Sequence, residues 1–74
     1  MKTIHYFVAV SRKAGKPRLA YDTSEQRKAI AAFRDLRKRK KPARIYTHLV
    51  MDQHHVDAII SCNFHNPEAE ALVG

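Results

Sequence analysis

The sequence predicts an α+β fold, a small antiparallel sheet in ββαββ order packed by one central helix, with a short C-terminal helix. Three observations lead there. A β-branched and aromatic opening, Thr3 to Val10, runs into a turn signal at Ala14-Gly15-Lys16-Pro17. A stretch with cap residues and helical apolar spacing fills the middle of the chain. Strict apolar alternation then returns over Val56, Ala58, Ile60, Cys62 and Phe64. A length of 74 residues holds one domain, residues 1–74, with no room for a deep cleft beside a core.

In the first strand Ile4, Tyr6, Val8 and Val10 fall on one face. The turn then leads to a short apolar piece, Leu19-Ala20-Tyr21, which reads as the second strand of a hairpin with a basic loop. Asp22, Thr23 and Ser24 are all N-cap residue types, and Thr23 with Gln26 or Asp22 with Glu25 would complete a capping box. Gln26, Ala29, Ile30, Phe33 and Leu36 then share one side of a helix that runs to about Lys40 and stops before Pro42. Residues 44–51 read as a third strand. Val56 to Phe64 fits a helix through Val56, Ile59, Ile60 and Phe64, but alternation accounts for all five apolar positions and predicts a fourth strand. Asn66-Pro67-Glu68 supplies a cap, a first-turn proline and an acid, the start of a final short helix.

Composition narrows the function classes. The single cysteine, Cys62, excludes an intramolecular disulfide framework, and its place in the alternation predicts a buried, inert thiol. The opening residues lack an apolar signal region, and the longest unbroken apolar run is Phe7 to Val10, far short of the roughly 20 residues of a bilayer span. A cytoplasmic, reduced setting is expected. A domain near this size buries only about 60% of its unfolded surface, which leaves little stability for a strained active site. A non-enzymatic, monomeric protein with no cofactor and no membrane contact is therefore expected.

The charge arithmetic is more informative. The net charge is +7, yet all 14 Lys and Arg lie in residues 1–44 with three acids, a balance of +11. Residues 45–74 hold four acids and no Lys or Arg, a balance of −4. On the predicted helix, Arg27, Arg34 and Lys38 form an outward stripe around Ala31, and its end adds Arg37, Arg39, Lys40 and Lys41. Arg44 follows at the next strand, and the hairpin contributes Arg12, Lys13, Lys16 and Arg18. The plain alternative is a solvated helix face, with cations at the negative end of the helix dipole and Asp35 four residues before Arg39. Five consecutive cations repel one another, however, and their natural counter-charges lie in the other part of the chain. The pattern points to a phosphate-rich or acidic partner: DNA, RNA or an acidic protein surface. No helix-turn-helix pair is visible, and of the stacking candidates Tyr6, Phe7, Tyr21 and Tyr46 most are more simply packing residues.

His48, His54, His55, Cys62 and His65 invite a zinc reading, but their spacing matches no finger pattern, and no metal is expected. A nuclease reading of His54-His55, Asn63 and His65 lacks the required element order. With four of the five histidines in the acidic half, acidification would offset its negative charge and weaken the polarity.

In size, charge and element order the chain resembles the small bacteriophage-encoded host-takeover proteins that regulate transcription by binding bacterial RNA polymerase. The resemblance spans the whole chain through layout alone, and no residue role is carried over from it. It implies inhibition of initiation, or antitermination, by contact with polymerase near the path of nucleic acid. A basic surface would then face phosphates while another face, or the edge of the first strand, docks on protein. Two alternatives stay open: a direct nucleic-acid-binding protein, and an inhibitor of a nuclease effector complex of the anti-CRISPR kind.

Overall fold

The computed structural model describes residues 2–65. Its elements are β1 (Thr3–Val10), β2 (Arg18–Thr23), α1 (Gln26–Lys38), β3 (Ala43–Val50) and α2 (Gln53–Asn63). The strands form one antiparallel sheet in the order β2-β1-β3. The α+β class, the antiparallel sheet, the basic hairpin and the central helix agree with the sequence prediction. The short helix expected from Asn66 lies outside the described residues.

The predicted fourth strand is a helix. Asp52 caps α2 by accepting a hydrogen bond from the His55 backbone N–H at 2.8 Å, and the His55 ring Nδ1 accepts one from the Met51 N–H at 3.2 Å. This reciprocal closure resembles a capping box with histidine in the usual Glu or Gln place. Val56, Ile59 and Ile60 are buried at helical spacing, whereas Ala58 and Cys62, which alternation assigned to the core, are exposed. Cys62 is thus a surface thiol. The chain does return to the sheet after α2: at the end of the described residues, His65 makes a parallel bridge to Arg18 on the outer side of β2.

The reason lies in β1. As the central strand it is buried on both faces, and Phe7, Val8 and Ala9 are each at most 1% exposed. Side chains alternate across a strand, so Phe7 and Ala9 face one side and Val8 the other. α2 covers the first side, where Phe7, Ala9, Val50, Val56, Ile59, Ile60 and Phe64 form one cluster with Leu19 and Tyr46 against it. Phe7 stacks on Phe64 at 5.4 Å between ring centroids, and Tyr46 meets Phe64 edge-on. α1 crosses all three strands on the Val8 side, where Val8, Ala29 and Ala43 are buried. The small side chain of Ala29 lets the helix axis approach the sheet closely. A fourth strand would have left the Phe7 side open to water.

The entry to α1 also differs from expectation. Its N-cap is Glu25, which makes no side-chain cap bond. Thr23 Oγ1 accepts from the Glu25 N–H at 3.1 Å instead, and Asp22 turns to His5 Nε2 at 2.8 Å. That hydrogen bond spans β1 and β2 at the register Tyr6–Thr23 and Phe7–Asp22. Because β1 is paired on both sides, it is not the free edge that the sequence reading offered to a partner.

Candidate functional site: the basic end of the sheet

The strand order answers a question the sequence leaves open, whether the hairpin loop and the helix end meet. β1 pairs with β3 to its last residue, Val10 opposite Ala43, and the Ser11 N–H continues the ladder to the Pro42 carbonyl at 2.9 Å. The hairpin loop, residues 11–17, therefore leaves the sheet beside the segment linking α1 to β3. Arg18 stands opposite Val10 on one flank and Arg44 opposite Ala9 on the other. Val10 and Ala9 point to opposite faces, so the cations surround one end of the sheet and are not confined to a single face.

Ten of the predicted residues gather there: Arg12, Lys13, Lys16, Arg18, Arg37, Lys38, Arg39, Lys40, Lys41 and Arg44. Arg27 and Arg34 lie further back along α1, extending the positive stripe without belonging to that end. All twelve are exposed. Three of the ten are tied down. Arg39 pairs with Asp35 at 3.3 Å, as the i,i+4 spacing suggests, and the Arg37 guanidinium lies over the Phe33 ring at 5.6 Å. Lys16 Nζ donates to the Ser61 carbonyl near the end of α2 at 3.4 Å. The platform role of Phe33 has a sequence signal, an aromatic four residues before Arg37; the Lys16–Ser61 contact has none.

The end of α1 is closed by backbone bonds that shape the site. The Lys40 N–H donates to the Arg37 carbonyl at 2.9 Å and the Lys41 N–H to the Leu36 carbonyl at 3.0 Å, the paired bonds of a Schellman ending. The residue at its turning point is Lys40, with φ of 62°. Glycine usually holds that position, because a side chain there costs about 1 kcal/mol. The chain thus keeps a cation at the point where local backbone energetics favour glycine.

The remaining titratable clusters are elsewhere. His5 is buried against Asp22 and Phe7, and His48 meets the Phe7 ring edge-on. No group of three or more His, Cys, Asp or Glu side chains is gathered as a metal site among the described residues. No helix among them is long and apolar enough to cross a membrane. Both sheet faces carry a helix, so the sheet offers no open platform for stacked bases. The arrangement is suited to binding extended negative charge. No family model matches the chain, and neither a curated protein nor a solved structure matches it.

Proposed function

We propose that the protein is a non-catalytic regulator of the bacterial cytoplasm that applies its basic end to the phosphate backbone of nucleic acid held by a host protein machine. RNA polymerase, to inhibit or modify transcription, is the machine the family resemblance favours. One observation carries this reading: seven of the ten cations at the basic end have no side-chain partner among the described residues, whereas all five described acids are engaged. Such a cluster gains from releasing the counterions condensed on a polyanion. The covered sheet faces favour contact with the phosphate backbone over recognition of stacked bases.

The test has two arms. Binding to mixed-sequence DNA and RNA is followed by fluorescence anisotropy across a salt series, where log affinity should fall linearly and steeply with log salt. A tagged protein is then used to recover partners from bacterial lysate, with nuclease added and salt raised. Retention of polymerase subunits is the expected result. Recovery of nucleic acid alone would reduce the protein to a direct nucleic-acid binder, and recovery of a nuclease complex would move it to the inhibitor class.

A further inference from the structure

The two edges of the sheet are not equivalent. The outer side of β2 is occupied at its start, where the Leu19 N–H donates to the His65 carbonyl and the His65 N–H to the Pro17 carbonyl. The β1–β2 pairing also carries a register shift between Val8 and Ala9. β3 pairs with β1 without a break, contains no proline, and has Arg44 as its one residue of the Lys, Arg, Asp and Glu types. Nothing among the described residues pairs with its outer side. Natural edge strands are normally protected by bulges, prolines or inward charges, and β3 has none of these.

The open groups can be assigned. Ser11 and Pro42 form a hydrogen-bonded position of the β1–β3 ladder, and such positions alternate along an antiparallel pair. Arg44, Tyr46, His48 and Val50 therefore turn their backbone groups toward β1, and Ala43, Ile45, Thr47 and Leu49 turn theirs outward. At the near limit the Ala43 N–H is already bonded to the Lys41 carbonyl at 2.8 Å. At the far limit the Met51 N–H is already bonded to His55 Nδ1 at 3.2 Å. Ile45, Thr47 and Leu49 are left between, each with an outward N–H and C=O. The set is symmetric about Thr47.

We propose that β3 is a homodimerisation edge, along which two copies of this chain pair antiparallel about Thr47 and join two three-stranded sheets into one of six. Thr47 then faces Thr47 of the second copy, and Ile45 faces its Leu49. All six open backbone groups of each copy find a partner. The side chains fit the same register. Leu49 and Met51 are 55% and 52% exposed, and Ile4, opposite Leu49 on β1, is 50% exposed. Pairing sets Leu49 against Ile45 and Met51 against Ala43, covering apolar surface that the single chain leaves in water. Charge selects a second copy running antiparallel. Pro42 comes opposite Asp52, so Lys41 of each copy approaches Asp52 of the other. The two strongly basic ends point to opposite ends of the joined sheet, where they do not repel one another. This replaces the monomer that composition alone leads one to expect, and it does not depend on what the basic ends bind.

The test uses the full chain at moderate salt without nucleic acid. Sedimentation velocity from micromolar to near-millimolar protein should show molar mass rising from one chain to two. Thr47→Pro removes an outward N–H that the single chain does not use, at an edge position that accepts proline. Leu49→Lys replaces a side chain the fold leaves exposed. Both variants should keep the wild-type circular dichroism and dimerise at least tenfold more weakly; if Thr47→Pro does not fold, Leu49→Lys decides. In the wild type the amides of Ile45, Thr47 and Leu49 should exchange more slowly as concentration rises. A wild-type chain that stays monomeric throughout, or a Leu49→Lys dimer as tight as wild type, overturns the proposal.

Discussion

The two ends of the sheet use charge in opposite ways. At the end where β2 leads into α1, the acids are satisfied locally: Asp22 by a hydrogen bond with the His5 ring, Glu25 by Lys28 at 2.7 Å, and Asp52 by the first turn of α2. At the other end Arg12, Lys13, Arg18, Lys38, Lys40, Lys41 and Arg44 are exposed and have no side-chain partner among the described residues. Matched charges stabilise turns and helix starts, each by a modest amount. Unmatched ones repel, and a chain that retains them has left stability unused. Under the proposed function, folding falls to one end and binding to the other.

The largest expected effect breaks this contrast directly. Replacing Arg37, Lys38, Arg39 and Lys40 together with Ser should lower the slope of log affinity against log salt by about two to four, Lys38 and Lys40 being the two without a partner, and abolish partner binding at physiological salt. Circular dichroism should stay unchanged, because all four side chains are exposed. An unchanged slope would show that the run is only a solubilising face.

The converse experiment acts at the matched end. Asp52→Ala removes the side-chain cap of α2 and should cost about 1 kcal/mol of stability, measured by urea denaturation. The affinity of the folded protein for nucleic acid should not change. A loss of affinity would show that α2 positions the basic end, through the Lys16–Ser61 contact.

How far these features were legible in the sequence follows from their range. β1, β2, α1 and β3 are local patterns, and each was readable within a few residues of its ends. The failure at Val56–Phe64 came from counting Ala58 and Cys62 as buried because they alternate with larger apolar residues. Asp52 followed three residues later by His55 was a local signal for a helix start, but it could be weighed properly only once Phe7 was known to need cover. That requirement depends on β1 being central, which is a matter of strand order. The basic residues were legible individually. Their convergence was not, because it arises from the Val10–Ala43 register between segments more than thirty residues apart in sequence. His5–Asp22 was hidden for the same reason.

A smaller effect tests whether the strained cation serves binding. Lys40→Gly relieves the left-handed conformation at the end of α1, and the gain is partly offset by the greater freedom of glycine in the unfolded chain. Stability should rise by up to about 1 kcal/mol while the salt slope falls by about one. A protein that becomes more stable and binds less well has exchanged stability for function at that residue. Unaltered binding would leave Lys40 as an ordinary suboptimal cap.

The smallest effect probes whether the matched end is electrically separate from the basic one. Hydrogen bonding to Glu25, then the charge of Glu25, and then that of Tyr21 hold the Lys28 ammonium above the ordinary lysine pKa. A pKa raised by folding means that the pairing's contribution is complete below the unfolded lysine value and is lost as pH climbs through the raised one. Glu25→Gln should therefore move the Lys28 titration, followed by NMR of its side chain, back toward the ordinary value. The thermal midpoint at neutral pH should scarcely move, because both side chains of the pair are exposed. Polyanion affinity should also be unchanged at physiological salt. Ten helical residues separate Lys28 from Lys38, roughly 15 Å of axis, against a screening length of about 8 Å. Tighter binding by Glu25→Gln would mean that the protein responds to its overall charge, and the division of labour between the two ends would have to be abandoned.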